Sequence, residues 1–248
     1  MALKETTRVA LRRTAGEIKR YRIYKKIIPI LMLLCATVLL IGYVISALYM
    51  RFGAFTVMVN KFDHINYALT LSEMNDFTTN SSQLNARASQ TITNIDGGTI
   101  PEWIDNDIGG NHTQDGENFI SYTFYCKNAG KAQFAYTYEL YIANSSLDIE
   151  KAVRVRLYVD GDYTDYAYPR TDGVEGPEPG TTAFQSQTTI VKKRIENFNP
   201  GDVTRFTVVI WLEGNDPDCV DKILGGQLTV DQAIEIDAGS IVDVGVDE

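Results

Sequence analysis

The sequence predicts an all-β ectodomain, an antiparallel jelly-roll-like sandwich, carried behind one N-terminal transmembrane helix. Three observations predict it. Residues 27–50, IIPILMLLCATVLLIGYVISALYM, carry no charge, and a helix needs roughly 20 apolar residues to cross the hydrocarbon core. The chain beyond them alternates apolar and polar residues in short runs broken by Gly, Pro, Asn and Asp, the pattern of strands and turns. Charge divides the same two parts. Residues 1–26 hold nine Lys/Arg against two Glu, while the rest holds 14 Lys/Arg against 30 Asp/Glu, and the whole chain of 248 residues carries −9.

Taken in order, residues 1–26 read as a basic, helix-forming cytoplasmic segment. Lys19, Arg20, Arg22, Lys25 and Lys26 crowd the near side of the apolar run, and only Arg51 and Lys61 lie close on the far side. Positive charge stays inside, so the N-terminus is expected in the cytoplasm and residues 51–236 outside, as one β-sandwich domain. The span is longer than a secretory h-region, and no paired small residues mark a cleavage site after it, so an uncleaved anchor is expected. The membrane is thus the first expected partner.

Phe55–Val59 and Tyr67–Leu71 alternate like two strands joined by a polar turn near Asp63. Residues 73–117 are rich in Asn, Thr, Ser, Gly and Asp and read as a long loop with a short strand around Ala88–Ile95. Residues 118–142 give the strongest hairpin signal, two aromatic strands flanking Lys127-Asn128-Ala129-Gly130. Ala152–Val159 and Tyr163–Tyr168 form a second hairpin around Asp160-Gly161-Asp162. Residues 169–183, PRTDGVEGPEPGTTA, read as an exposed loop. Thr188–Ile195 is a further strand. Val203–Leu212 is apolar on both faces, as befits a central strand packed on both sides. Asp216–Leu224 suggests a helical turn, Gln227–Ile236 a closing strand, and 237–248 an acidic tail.

An ectodomain this acidic repels phosphate backbones, so nucleic acid is not an expected partner. The two histidines, His64 and His112, stand apart in the sequence, each in a polar stretch that reads as solvated. No spacing suits a zinc site or a nucleophilic triad. The acidic clusters are better candidates. Asp105-Asn106-Asp107-Ile108-Gly109-Gly110 resembles the opening of a calcium loop, although Gly116 stands where the closing glutamate belongs. Asp216 and Asp218 crowd a second segment, with Glu213 and Asp221. Asp105, Asp107, Asp216 and Asp218 are therefore the candidate calcium ligands, against the plainer reading of turn chemistry, and no other cofactor is expected. Cys126 and Cys219 lie in the external part, where a disulfide between them is allowed; the alternative is two free thiols. Phe134, Tyr136 and Tyr138 share one face of a strand, as a sugar-stacking platform or, more commonly, as core.

GAFTVMVNK behind the apolar span, then YTFYCKN, AVRVRLYVDGDYTDYA, and FTVVIWLEGNDPDC followed by ILGG, together resemble a group of extracytoplasmic proteins of Firmicutes, broadly similar to the camelysin and TasA-type secreted β-sandwich proteins. VIWLEGNDPDC (residues 209–219) is the most specific piece, and the resemblance covers most of 52–236. It implies a jelly-roll-like sandwich at the cell surface and, for some relatives, matrix fibres assembled by donation of a strand. This chain departs from the secreted members in its long basic N-terminal segment and poor cleavage site. The resemblance carries no active site.

The expectation is therefore a non-enzymatic, membrane-anchored cell-surface protein of envelope structure, adhesion or extracellular matrix assembly, with self-association or other surface proteins as partners. A second expectation is a carbohydrate- or peptide-binding module using the 73–117 and 169–183 loops. A third, a carboxylate-based hydrolase, requires two carboxylates on a concave face, one with a raised pKa.

Overall fold

The computed structural model describes residues 27–41, 55–59, 69–86, 92–105, 108–112 and 118–243. The chain divides into two compact units, Met1–Arg51 and Phe52–Glu248. In the first, residues 27–41 form a helix, α1. Among the described residues no helix is both long and apolar enough to cross a membrane. The remainder of 27–50 lies outside the described residues, as do the basic segment 1–26, the turn near Asp63, and His64 and Asp107.

The second unit is built from two sheets. In chain order its described strands are β1 (Phe55–Val59), β2 (Leu69–Ser72), β3 (Gln83–Ala86), β4 (Gly110–Asn111), β5 (Phe119–Asn128), β6 (Ala132–Ser145), β7 (Val153–Val159), β8 (Asp162–Ala167), β9 (Thr182–Ala183), β10 (Thr189–Phe198), β11 (Val203–Leu212) and β12 (Leu228–Asp243). One sheet runs β10-β6-β12-β1-β3; the other runs β2-β5-β11-β7-β8-β9, with β4 also paired to β5. The strands are antiparallel, as expected, except for two pairs. β1 lies parallel to β12, and β9 parallel to β8.

The period-2 pattern explains which side chains meet. Phe134, Tyr136, Tyr138, Leu140 and Ile142 of β6 point inward, as do Ile120, Tyr122, Phe124 and Cys126 of β5 and Phe206, Val208 and Ile210 of β11, all in one buried cluster. Aromatic rings bridge the sheets: Tyr138 to Phe206 at 5.2 Å and Phe55 to Tyr122 at 5.9 Å between centroids. Such pairs add to area burial when tilted or edge-on. The Phe134–Tyr136–Tyr138 stripe is thus core and offers no platform for a sugar.

Several expectations change here. β1 and β2 do not form a hairpin; they belong to different sheets. The strongest hairpin signal, 118–142, is a corner between sheets, with β5 paired to β11 and β6 to β12 and β10. Buried Asn128 fixes that corner. Its amide donates to the Ala132 and Phe198 carbonyls, both at 2.9 Å, and its side-chain oxygen accepts from Gly130 N–H at 3.0 Å. A turn sequence with apolar strands on both sides fits a hairpin and a sheet-crossing corner equally, and partner strands decide. The hairpin β7–β8 does form. Its two-residue turn puts Asp160 at φ 52° and Gly161 at φ 98°, the left-handed pair that matches strand twist. The acidic tail begins later than expected, because β12 runs to Asp243 and pairs Val242 with Gln133.

β11 is central, as its sequence predicts, and both faces are covered. Its inner face joins the main core. On its outer face Val209 and Trp211 pack with Phe119, Tyr158, Ile100 and Ile104 in a second, smaller cluster. Ile100 and Ile104 come from the long polar segment after β3. Two short 3₁₀ turns, Gly97–Thr99 and Glu102–Ile104, let that segment lie flat on the sheet. Ile95 ties it down, donating to the Leu212 carbonyl at 2.9 Å and accepting from Gly214 N–H at 2.8 Å.

Candidate functional site

The outer face of the second sheet also holds a cleft of about 460 Å³. Its floor comes from strand positions that alternate with the core. On β7, Arg154 and Arg156 point outward while Val153, Val155 and Leu157 point in. Trp211 of β11 pairs directly with Arg154, and Asp165 of β8 with Arg156. The rim comes from Asp96–Gly98, Glu178–Thr181 and Glu213–Pro217. The loops expected to bind a ligand, 73–117 and 169–183, thus converge on one cleft.

Each polar group on this floor has a traceable arrangement. Arg156 forms a bidentate pair with Asp165 at 2.6 and 2.8 Å. Its guanidinium also lies over Tyr163 at 4.5 Å and near Trp211 at 5.7 Å from the ring centres. Pairing with Asp165 raises the Arg156 pKa further. Trp211 donates its indole N–H to Glu213 at 2.9 Å, and Gly97 N–H donates to the same carboxylate at 3.1 Å. Gly97 lies against the indole so closely that a Cβ would come within 2.7 Å of it, which requires glycine there. At the mouth, Arg170 pairs with Asp172 at 2.5 Å and holds that carboxyl down at about 2.

The deepest element is Arg154. Arg154, Glu178 and Asp216 are 5%, 7% and 6% exposed. The guanidinium faces Asp216 at 2.5 Å and Glu178 at 3.6 Å. One buried cation therefore serves two buried carboxylates. Burial, and then the neighbouring Asp216, raises the Glu178 pKa. Unpaired charge in a low-dielectric site is costly, which is the physical origin of that shift.

The sequence candidates are distributed as follows. Asp216 is Arg154's partner, and Asp218 accepts from the Thr171 hydroxyl at 2.5 Å. Asp105 lies elsewhere on the outer face, bound by Arg205 at 2.9 Å and by Thr207, which donates to it at 3.1 Å. Asp105 and Asp216 are not brought together. Among the described residues no group of three or more His, Cys, Asp or Glu side chains is placed to hold a metal ion. Cys126 and Cys219 are free thiols. Cys126 pairs with Thr204 near the start of β11, whereas Cys219 follows its end at Leu212, eight residues and about 26 Å along the strand. A disulfide needs Cα atoms about 4.4–6.8 Å apart. His112 is half-buried rather than solvated; its ring nitrogen lies 2.9 Å from the Thr123 hydroxyl, and burial lowers its pKa. The 169–183 loop is not wholly exposed either, because Glu178 anchors it.

Arg154, Arg156 and Glu178 were not among the sequence candidates. The arginines carry a legible signal: they alternate with valines in a strand, so they must share one face. Glu178 sits between two prolines in a loop, where nothing local distinguishes it from a solvated acid. The chain matches no protein-family model, and no curated protein matches it.

Proposed function

We propose that this chain is a non-enzymatic, membrane-anchored cell-surface module serving envelope structure, adhesion or matrix assembly. One observation carries the reading: the uncharged run 27–50 separates a strongly basic segment from a strongly acidic β-rich one. An apolar run of that length spans a bilayer, and the lysines and arginines orient it with the N-terminus in the cytoplasm. Resemblance to the camelysin and TasA-type proteins supports a surface location and a jelly-roll-like ancestry. β1, the first strand after the anchor, pairs with β12 and β3 of its own chain. That pairing favours a self-contained module over donation of this strand to a neighbour.

The test is cell fractionation combined with protease shaving of intact cells. The full-length chain is expected in the membrane fraction, with shaving destroying the sandwich and sparing the basic segment. Recovery of the sandwich only in the culture medium would overturn the anchor.

A specific observation favours a binding role within this reading: two separate loops meet over a cleft floored by Arg154, Arg156 and Trp211. Glu178, with its raised pKa on a concave surface, meets one requirement of a hydrolase. The other carboxylates at the cleft are engaged by Arg154, Arg156, Trp211 or backbone N–H groups, which favours recognition over acid–base chemistry.

A further inference from the structure

We infer that the cleft on the outer face of the second sheet is a receptor for a lysine or arginine side chain of a basic polypeptide, with Glu178 as its charge partner. The inference rests on the surface-module reading only for where such a polypeptide would be met.

Charge balance is the first support. Arg154, Arg156 and Arg170 line the cleft, against Asp96, Asp165, Glu178 and Glu213, with Asp216 and Asp172 directly behind Arg154 and Arg170. Asp165 is matched by Arg156, and Asp172 by Arg170. Glu213 and Asp96 are held by N–H donors, from Trp211 and Gly97 and from Gly98 and Asn215 respectively. What remains is the Arg154 guanidinium facing two carboxylates at close range, with Arg170 acting on both from farther away.

The second support is the state of Glu178. It is more than nine-tenths buried and lines the cleft. Among the described residues its carboxylate accepts no hydrogen bond, and its nearest cation is Arg154 at 3.6 Å, beyond hydrogen-bond distance. Asp216 takes the close position at 2.5 Å. A buried carboxylate with unused lone pairs is stabilised by any donor that carries a positive charge to it. An anion would instead meet an excess of negative groups.

The walls suit the same guest. A volume of about 460 Å³ exceeds what a single ammonium group fills, and leaves room for its stem and flanking backbone. The rim glycines Gly98 and Gly180 keep side chains off the approach.

The test uses the full-length chain in a neutral detergent at physiological salt. The probes are the acetylated, amidated tripeptides Gly-Lys-Gly and Gly-Gln-Gly, with spermidine as a non-peptide amine, each followed by saturation-transfer NMR. The lysine peptide is expected to bind at least fivefold more tightly than the glutamine peptide. Glu178→Gln is expected to remove that preference, and Glu178→Asp, which keeps the charge, to retain it. Equal binding of the two peptides by the wild-type chain would overturn the proposal without recourse to any variant. So would a preference that survives Glu178→Gln, which would assign it to the general acidity of the surface. Tighter binding of spermidine than of the lysine peptide would overturn the polypeptide as guest. Failure here leaves the membrane anchor standing, and failure of the fractionation test leaves this binding measurement unaffected.

Discussion

Two charge clusters lie on the outer face of the second sheet, and they differ in burial and in the groups that share their carboxylates. At one end, Arg205 donates to Asp105 at 2.9 Å. Thr207 donates to the second Asp105 oxygen, Thr123 lies 2.8 Å from Thr207, and His112 lies 2.9 Å from Thr123. There the carboxylate is shared between a guanidinium and a hydroxyl. At the other end, Arg154 meets both Glu178 and Asp216, and the three are more deeply buried than Arg205 and Asp105. The cluster in which one guanidinium faces two carboxylates is the more buried one, and it floors the cleft. A closed, satisfied network specifies structure; an over-charged one beside a cleft is what a binding site needs before its guest arrives.

The sharpest way to break this contrast is Arg154→Met. It removes the guanidinium that faces both buried carboxylates, and breaking a buried pair from one side costs about 3–5 kcal/mol. Urea unfolding at pH 7 measures it, and the double variant with Glu178→Gln should recover part of the loss. A smaller effect is expected at the less buried end, Arg205 and Asp105. Asp105→Asn keeps a hydrogen-bond acceptor for Thr207 but weakens the bond to Arg205, a loss of at most about 1.5–3 kcal/mol for a charged hydrogen bond. If Asp105→Asn proved as costly as Arg154→Met, the two clusters would not differ in kind.

The smallest effect on stability, and the most telling in sign, belongs to Glu178→Gln. A carboxyl whose pKa is raised on folding contributes stability that is fully present below its unfolded pKa, about 4.3, and is lost as pH rises through the folded value. The wild-type chain should therefore lose stability over the pH window just above the ordinary glutamate range. Glu178→Gln should flatten that slope and be neutral to slightly stabilising at pH 7, although most buried polar substitutions destabilise. Unfolding series from pH 4 to 7 on both proteins decide it; identical slopes would show that Glu178 is not the group under strain.

Much of the fold is readable from local pattern. β11 announces itself as a central strand because both alternating sets, Phe206, Val208, Ile210 and Thr207, Val209, Trp211, avoid charge. The β7–β8 hairpin is readable because Asp160-Gly161 supplies two left-handed residues in a row. The 118–142 corner misleads for a physical reason. Its Asn-Ala-Gly turn and flanking aromatics satisfy hairpin chemistry, and only the stronger partners β11 and β12 pull the two strands into separate sheets. The candidate site was less legible. Asp105 and Asp216 look alike as members of acidic clusters, yet each is the partner of a particular arginine distant in sequence.

By itself the sequence determined the uncharged run, its flanking charge asymmetry, and a β-rich acidic part with inward aromatic stripes. All of these follow from periodicity and composition, which act over a few residues. Only the tertiary structure decided that β1 joins β12, that Cys126 and Cys219 stand at opposite ends of β11, and that one guanidinium at Arg154 faces two carboxylates from separate loops. Those outcomes depend on which distant segments meet across a sheet, and burial then turns ordinary surface charges into one buried cluster.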